Sequence, residues 1–264
     1  MQILLTGAAG GVGQMLRPYF AAAGIHVRLS DIQTVSDLKS NETFILADLN
    51  DVAALERVVV GVDGIVHLGG HSVEGPWDTI LKSNIEGCYH LYEAARMAGV
   101  PRIVFASTNH TMGFYPRNET VGTEKMVRPD SRYGVSKVFG EALGALYSDK
   151  FGLRIANIRI GNVGFEPIDR RRMSIWLHPE DLFQLVMIGL EHPEIRYETM
   201  YGMSDNVRGW WDNRRAQELG YVPKHASESF AAKVLAKTEP SDPIADNYQG
   251  GAFCALEYAS KRAP

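Results

Sequence analysis

The sequence predicts an α/β fold in which a doubly wound parallel sheet is followed by a small C-terminal cap. Over the first 165 residues, short and continuously apolar runs alternate with segments of helical periodicity. This pattern is typical of parallel strands covered by helices on both faces. A glycine-rich turn joins the first apolar run to the first helical segment, as in folds of the Rossmann type.

The alternation gives bounds for each element. The predicted strands cover residues 2–6, 26–30, 43–46, 65–68, 102–106 and 154–160. The predicted helices between them cover residues 11–23, 51–60, 77–98 and 131–151. After residue 161 the pattern is irregular, with helical character only over 179–192 and 227–237. We therefore expect a cofactor-binding core over 1–165 and a small substrate-binding cap over 166–264, within one structural unit.

The turn after the first strand has the composition of a phosphate-binding loop. Gly7, Gly10 and Gly13 form a Gly-x-x-Gly-x-x-Gly pattern where the strand gives way to the helix. The first glycine permits a tight turn, the second lets the backbone approach a pyrophosphate, and the third allows close helix–strand packing. We expect these glycines and Val12 to contact a dinucleotide.

Asp31, at the end of the second strand, indicates NAD rather than NADP. A carboxylate at this position accepts hydrogen bonds from ribose hydroxyls and repels a 2′-phosphate. Arg28 lies three residues earlier, so strand alternation directs it to the other face. Asp48 and Leu49 follow the third strand and are candidate contacts of the adenine, although Asp48 could also cap the next helix.

A catalytic pair is predicted on the helix over 131–151. Tyr133 and Lys137 are four residues apart, so both side chains lie on one helix face. A nearby ammonium lowers the pKa of a phenol, which can then act as a general base. Ser107 ends a strand where its hydroxyl could hold a substrate oxygen. Asn84 could anchor a water that passes protons onward from Lys137.

Composition and charge exclude other classes of function. The 264 residues include 27 basic and 31 acidic side chains, for a net charge of −4. Nucleic acid and membrane are therefore not expected as partners, and no apolar run approaches the roughly 20 residues of a transmembrane helix. An apolar strand starts almost at Met1, without a secretory signal. The only two cysteines, Cys88 and Cys254, are far apart, as expected in a cytoplasmic protein.

The combined pattern resembles the short-chain dehydrogenase/reductase superfamily in its extended form, over roughly residues 1–165. The matching positions are the glycine loop, Asp31, Asp48, Leu49, Asn84, Ser107, Tyr133 and Lys137. The resemblance also implies cofactor contacts at Leu68, Gly69 and Ile160, although many relatives have an alanine-rich run where His67-Leu68-Gly69-Gly70 stands here. The segments 65–74, 105–111, 209–213 and 249–253 resemble the bacterial uronate dehydrogenases and extend the resemblance over nearly the whole chain.

This second resemblance implies the oxidation of cyclic D-glucuronate or D-galacturonate at the anomeric carbon. Hydride would pass to NAD, and the product would be an aldarolactone. Tyr133 would take the proton of the anomeric hydroxyl, Lys137 would lower the pKa of Tyr133 and bind the nicotinamide ribose, and Ser107 would orient the reacting oxygen. The sequence leaves the preference between the two acids open because they differ in the direction of one hydroxyl.

The same resemblance implies a set of substrate contacts. A guanidinium fork fits a carboxylate, and counting from the end of the last predicted strand places the family's arginine at Arg171. Arg172 is the alternative, because residues 170–172 are all arginine. The residues expected to touch the sugar ring or its hydroxyls are Ser72, Asn109, His110, Asn162 and Phe253. At Asn162 the family often has serine.

Three further expectations concern partners, metals and alternatives. The helices 77–98 and 131–151 pair subunits in many relatives, which implies a homo-oligomer. His67 and His71 flank two glycines and lack a His-Glu-x-x-His pattern, so no metal site is expected. A nucleotide-sugar epimerase or dehydratase would share the catalytic pair, but it would release no NADH and would need a larger cap. A non-catalytic NAD sensor commonly lacks the Tyr or the Lys.

Overall fold

A parallel sheet of seven strands runs through the protein, of which the computed structural model describes residues 1–259. The strand order is β3-β2-β1-β4-β5-β6-β9, and each neighbouring pair is parallel. The strands are β1 (Gln2–Thr6), β2 (His26–Asp31), β3 (Glu42–Leu46), β4 (Gly64–His67), β5 (Arg102–Thr108), β6 (Arg154–Ile160) and β9 (Tyr197–Gly202). A separate short pair consists of β7 (Asn162–Val163) and β8 (Trp176–Leu177). The predicted doubly wound sheet is confirmed.

Helices cover both faces of this sheet. Successive residues of a strand point to opposite faces, and here the residues on both faces are apolar. On one face, Ile3 and Leu5 pack with α1 (Gly11–Ala22) and α7 (Pro179–Glu191). On the other face, Leu4 packs with α2 (Val52–Val59), α4 (Gly87–Met97) and α5 (Arg132–Phe151). The remaining α-helices are α3 (Trp77–Ile80), α6 (Arg170–Ile175), α8 (Arg214–Glu218), α9 (Ala231–Leu235), α10 (Pro243–Asn247) and α11 (Ala252–Ala255). None of the helices within 1–259 is both long and apolar enough to cross a bilayer.

Most predicted bounds agree with the structure to within two residues, and three predictions differ from it by more. The helix predicted over 77–98 is interrupted by a π-helical segment, Leu81–Glu86, between α3 and α4. The helix predicted over 227–237 is a 3₁₀ turn, Ser227–Phe230, followed by α9. The boundary at residue 165 does not separate core from cap, because α7 and β9 lie in the core layers. Periodicity after residue 161 was too weak to reveal the seventh strand, and 260–264 of the predicted cap lie outside the described residues.

The order of the strands places a crevice at one end of the sheet. The chain leaves β1 toward β2 and β3 and then returns to β4 on the other side of β1. In open α/β sheets, ligands bind at such a switch point, beyond the carboxyl ends of the strands. The segments that follow β5 and β6 reach the same end. An apolar cluster that includes Met112, Tyr201, Trp210 and Trp211 joins the later part of the chain to this end.

Helix α5 approaches the sheet unusually closely because of a glycine. A Cβ at Gly140 would lie 2.3 Å from Phe105 Cζ in β5, which no real side chain could tolerate. The absence of a side chain at Gly140 therefore lets α5 pack directly over the Phe105 ring of β5.

A buried ion pair ties α1 to the edge of the sheet. Arg17 donates from Nε to Glu42 Oε1 at 2.9 Å and from Nη2 to Glu42 Oε2 at 2.7 Å. Both side chains are almost fully buried. Hydrogen bonding to Glu42 raises the pKa of Arg17, so the guanidinium keeps its charge and needs the carboxylate beside it.

We predict that Glu42→Ala destabilises the protein by about 3–5 kcal/mol, because it leaves the buried Arg17 charge without its main partner. Urea denaturation followed by circular dichroism measures the free energy of unfolding. Glu119→Ala is the matched control, because it removes an exposed pair with Lys125 that contributes at most ~1 kcal/mol. Equal losses in the two variants would contradict the prediction.

Candidate active site

A cleft of about 320 Å³ lies beyond the carboxyl ends of the central strands. It brings together residues from segments that are far apart in the sequence. The predicted site residues that line it are Val12, Leu68, Ser72, Ser107, Asn109, His110, Tyr133, Lys137, Ile160, Asn162, Arg171 and Phe253. Of the other predicted residues, the three loop glycines, Asp31, Asp48, Leu49, Gly69 and Asn84 do not line this cleft.

The glycine loop has the shape that a pyrophosphate requires. Gly7 has a positive φ of 70°, and a Cβ there would lie 2.8 Å from Gly69 N. A Cβ at Gly13 would lie 2.6 Å from Gly7 O. Gly10, the N-cap residue of α1, offers no side-chain acceptor, and the first turn of α1 contains no acid. The amides at this helix start are therefore available to an anion, and the loop fits a dinucleotide.

Asp31 lies against this loop. Its Oδ2 accepts from Ala9 N at 3.0 Å, and its Oδ1 accepts from Gln33 N at 3.0 Å. Arg28 turns away and donates to main-chain carbonyls at the end of α2, as strand alternation predicted. The carboxylate is therefore the charged group of β2 nearest to the loop, which favours ribose hydroxyls over a 2′-phosphate.

Asp48 does not cap the helix that follows it. Asp51 is the N-cap residue of α2 and accepts from Ala54 N at 3.0 Å, whereas Asp48 accepts from Asn50 N within a turn. The alternative role considered for Asp48 was therefore wrong. Leu49 lies beside the loop, since its Cδ1 is 3.3 Å from the position of a Cβ on Gly69. Adenine contacts at Asp48 and Leu49 stay a prediction.

Tyr133 and Lys137 face the cleft from the first turns of α5. The helix begins after Ser131, whose Oγ accepts from Gly134 N at 3.0 Å. Burial raises the pKa of Tyr133 to about 12, against a lowering by the Thr108 hydroxyl. Burial also lowers the pKa of Lys137 to about 8. The Lys137 ammonium lies 5.8 Å from the centre of the Tyr133 ring, close enough to stabilise a phenolate.

The hydroxyl of Ser107, at the end of β5, has a different partner from the substrate oxygen that the sequence analysis expected. Ser107 donates to Glu141 Oε1 at 2.6 Å, and Glu141 also accepts two hydrogen bonds from Arg159 at 2.9 and 2.8 Å. Ser107 thus has its hydroxyl proton directed into a buried ion pair rather than toward a substrate. Its neighbour Thr108 also lines the cleft, and its hydroxyl lowers the pKa of Tyr133, because adjacent strand residues point in opposite directions.

The side-chain amide of Asn84 bonds to protein groups rather than to the water that the sequence analysis expected. Its Oδ1 accepts from His71 N at 2.7 Å, and its Nδ2 donates to His71 O at 2.9 Å and to Ser136 Oγ at 2.9 Å. Both amide hydrogens are therefore occupied, and the side chain joins the 71–72 loop to α5. The side-chain N–H groups are not available to hold a water beside Lys137.

Asp130 is a buried carboxylate beside the site that the sequence analysis did not name. It is buried, and its Oδ2 lies 2.7 Å from His110 Nδ1. Burial lowers the pKa of His110, against the opposing effect of Asp130, so the ring is neutral with its proton on Nδ1. His110 then presents Nε2 as an acceptor. Phe253 stacks on His110 with ring centres 3.8 Å apart.

Neighbouring glycines make room for the Asp130 carboxylate. A Cβ at Gly113 or at Gly250 would lie 1.8 or 1.9 Å from Asp130 Oδ2. The sequence signal for this arrangement is weak, because Asp130 is typical of a turn residue before α5 and its partners are far away in the chain.

The two candidate arginines have different partners. Arg172 forms an ion pair with Asp169, the N-cap residue of its own helix. Arg171 contacts no carboxylate within the described residues, and it donates from Nε to Gln249 O at 2.8 Å. With its amide oriented to satisfy both neighbours, Asn109 accepts from Arg171 Nη2 at 3.0 Å and donates to Ile160 O at 3.2 Å. Burial, with nearby arginines, lowers the pKa of Arg171 to about 10.

His67 is a buried structural residue. Its Nδ1 lies 2.8 Å from Thr6 Oγ1, and burial lowers its pKa to about 3. The ring is therefore neutral at all physiological pH values. Thr6 Oγ1 also accepts from Gly69 N at 3.2 Å, so this contact fixes the segment that packs against the glycine loop.

Comparison with known proteins agrees with this geometry. Residues 3–174 match the model of the NAD dependent epimerase/dehydratase family. The chain is 47% identical to a uronate dehydrogenase of Pseudomonas syringae pv. tomato, over 96% of this chain and 93% of that one. The structure of glucuronic acid dehydrogenase from Chromohalobacter salexigens has a TM-score of 0.92 and 46% identity, and covers 96% of both chains.

A structure of uronate dehydrogenase from Agrobacterium tumefaciens, a mutant complexed with NAD, is similar with a TM-score of 0.92 and 43% identity, over 96% of this chain and 97% of that one. The same fold and nearly half of the residues are thus shared across almost the full length. The chain belongs to the uronate dehydrogenases, within the NAD dependent epimerase/dehydratase family.

Proposed function

We propose that this protein oxidises cyclic D-glucuronate or D-galacturonate at the anomeric carbon, with NAD as cofactor, to an aldarolactone. The observation that carries the proposal is the half-buried Arg171 guanidinium, which lines the same cleft as Tyr133 and Lys137 without a carboxylate from the described chain. When bound, NAD supplies the hydride acceptor and a positively charged ring. The residues of the chain bind the sugar acid, orient it and remove one proton.

Tyr133 is the general base in this proposal. It accepts the proton of the anomeric hydroxyl as the hydrogen on the same carbon leaves as hydride, so the carbon gains a carbonyl and the ring becomes a lactone. A phenol with a pKa of about 12 is almost entirely protonated near neutrality and so cannot accept a proton. Positive charge must therefore stabilise the phenolate. Lys137 is placed to supply that charge.

Thr108, rather than Ser107, orients the reacting oxygen. Thr108 and Tyr133 line the same cleft, and the Thr108 hydroxyl lowers the pKa of Tyr133, so a substrate oxygen that reaches Tyr133 also lies within reach of Thr108. A donor fixed beside the developing carbonyl stabilises charge without reorganising during the reaction. Ser107 instead donates to Glu141 and so links the end of β5 to α5.

Arg171 binds the substrate carboxylate, and its neighbours contact the hydroxyls. The guanidinium can donate two parallel hydrogen bonds to a carboxylate. His110 Nε2 accepts from one sugar hydroxyl, and Phe253 covers an apolar part of the ring. Ser72, Asn109 and Asn162 are assigned to the remaining hydroxyls because they line the cleft. In this proposal the part of the chain after residue 165, apart from α7 and β9, serves as the substrate-binding cap.

We also propose a homo-oligomer in the cytoplasm. The outer faces of α3, α4 and α5 expose several large apolar side chains: Trp77, Tyr89, Met97, Val135, Leu146 and Phe151. Apolar surface of this kind favours association of like subunits. The two cysteines are free and buried, which suits a reducing compartment.

We predict that NADH forms from NAD with D-glucuronate or D-galacturonate and that Arg171→Ala raises the KM for either acid about 100-fold. The loss corresponds to two charge-assisted hydrogen bonds. Absorbance at the NADH band gives the initial rates, and D-glucose and D-galactose are the neutral controls.

Arg172→Ala is the matched variant, because Arg172 already pairs with Asp169, and its KM should stay within a few-fold of the unmodified protein. Equal turnover of acids and neutral sugars would refute the carboxylate role of Arg171. Release of no NADH from any of the four sugars would favour the epimerase alternative.

We predict that Thr108→Val lowers kcat about 100-fold, because a hydroxyl beside the reacting oxygen is lost. Thr108→Ser keeps the hydroxyl and should retain most of the activity. Ser107→Ala should instead lower the free energy of unfolding by about 1–3 kcal/mol, since Glu141 loses a buried donor, with a much smaller effect on kcat. The opposite order of the kcat losses would restore Ser107 as the orienting group.

We predict that the protein sediments as an oligomer at micromolar concentration and that Leu146→Glu shifts it toward the monomer. The substitution places a charge in the exposed apolar face of α5, where a subunit contact would bury it at a cost. Sedimentation velocity measures both species. A monomer without the substitution would rule out the oligomer.

A further inference from the structure

Arg171 is held by a carbonyl from a distant part of the chain. It is the second residue of the short helix α6, and its long side chain would lose considerable rotamer freedom on binding a ligand. Its Nε donates to Gln249 O at 2.8 Å. This bond, and the one that Nη2 donates to the Asn109 amide oxygen at 3.0 Å, use two of the five N–H groups of the guanidinium and leave the others for a ligand in the cleft. The position of Gln249 O therefore sets the direction of the fork together with Asn109.

Gln249 is buried, and all of its side-chain polar atoms are hydrogen-bonded. It is 1% exposed, and its main-chain N donates to Tyr115 O at 2.9 Å. Its Nε2 donates to Pro116 O at 3.0 Å and to Glu119 O at 2.9 Å. Its Oε1 accepts from Trp211 Nε1 at 3.0 Å. With both amide hydrogens and the amide oxygen bonded, the side chain fixes the orientation of its own backbone.

Trp211 is itself anchored on both sides. Its ring stacks on Tyr201 of β9 with centres 4.9 Å apart and an angle of 10° between the planes. Val121 N donates to Trp210 O at 2.9 Å, and Asp212 N donates to Val121 O at 3.0 Å. The indole N–H is therefore presented from the end of the sheet at a fixed place, and Gln249 is the residue that receives it.

Gly251, two residues after Gln249, packs against the side chain of Arg171. Gly251 has a positive φ of 65°, and a Cβ there would lie 2.5 Å from both Cδ and Nε of Arg171. The segment thus contacts Arg171 on two sides: a carbonyl binds its Nε, and a missing side chain makes room for its stem. This second contact does not depend on Trp211.

We propose that Gln249, held by Trp211, is the positioning residue that aims Arg171 at the substrate carboxylate and so sets the preference for an acid over a neutral sugar. The inference rests on the proposed carboxylate role of Arg171. It gives a function to residues 209–213 (Gly-Trp-Trp-Asp-Asn) and 249–251 (Gln-Gly-Gly), neither of which takes part in proton transfer. The two segments act together through one hydrogen bond between side chains.

Trp211→Phe tests this directly, because it removes the N–H and keeps an aromatic ring over Tyr201. Trp210→Phe is the matched control: its Nε1 has no hydrogen-bond partner among the described residues, so the same change breaks no such bond. We expect Trp211→Phe to raise the KM for D-glucuronate about tenfold, which is the effect of ~1.4 kcal/mol. The KM for NAD and the kcat should stay within about twofold, and Trp210→Phe should leave all three unchanged.

The decisive measurement repeats Trp211→Phe in an Arg171→Ala background. If Trp211 acts through the arginine, the second substitution adds no further rise in KM for the acid. An equal rise in both backgrounds, or the same rise in Trp210→Phe, would mean a general structural effect and would overturn the proposal. If Arg171→Ala alone leaves the KM for the acid unchanged, the carboxylate role itself fails, which is a separate result.

If Trp211→Phe does not fold, Gly251→Ala tests the other contact by which the 249–251 segment positions Arg171. A methyl group there would push against the stem of Arg171, and we expect a rise in KM for the acid that shrinks in the Arg171→Ala background, where the stem is absent. A rise of the same size in both backgrounds would again overturn the proposal. Thermal unfolding of every variant confirms that the kinetics are measured on folded protein.

Discussion

Lys137 is buried and Arg171 half-buried at the same end of the sheet, and neither contacts a carboxylate within residues 1–259. Burying an unpaired cation is costly, and the cost is visible in the lowered pKa values of both groups. Arg159 shows the contrast, because Glu141 neutralises it through two hydrogen bonds. The fold thus neutralises the cation that supports the strands and leaves the two cations that face the cleft to be neutralised by what enters it.

The positions of those two charges depend on residues that carry no charge near the reacting atoms. Gly140 lets α5, the helix that carries Lys137, pack directly over the Phe105 ring of β5. Gly251 and the Gln249 carbonyl contact Arg171 itself. In both cases a missing Cβ or a backbone oxygen decides where a charged side chain stands. Substitutions far from the substrate can therefore change its binding without touching it.

The sequence predicted the sheet well because its strands are buried on both faces and form unbroken apolar runs. It also predicted Tyr133 and Lys137, whose relation is local and follows from helix periodicity. It named Ser107 and not Thr108, because both are hydroxyls and only the direction of each residue on β5 separates them. Long-range contacts were beyond sequence reasoning for a different reason. The choice of Arg171 over Arg172 depends on contacts with residues that are distant in the chain, and no period or spacing encodes the room that Asp130 needs beside His110.

In the proposed function, where Arg171 binds the substrate carboxylate, the selection of an acid over a neutral sugar follows from desolvation more than from attraction. A neutral sugar that fills the cleft would displace water from Arg171 and offer no carboxylate in return, so a buried donor would be left unpaired, and such mismatches discriminate strongly. Discrimination between two epimeric acids must come from elsewhere, because Arg171 binds the part that they share. His110 is suited to that role, because Asp130 fixes its tautomer and Nε2 can then only accept, which favours a hydroxyl that points toward it. In this proposal, the charge of Arg171 selects the class of substrate, and the neutral, oriented ring of His110 distinguishes its stereochemistry.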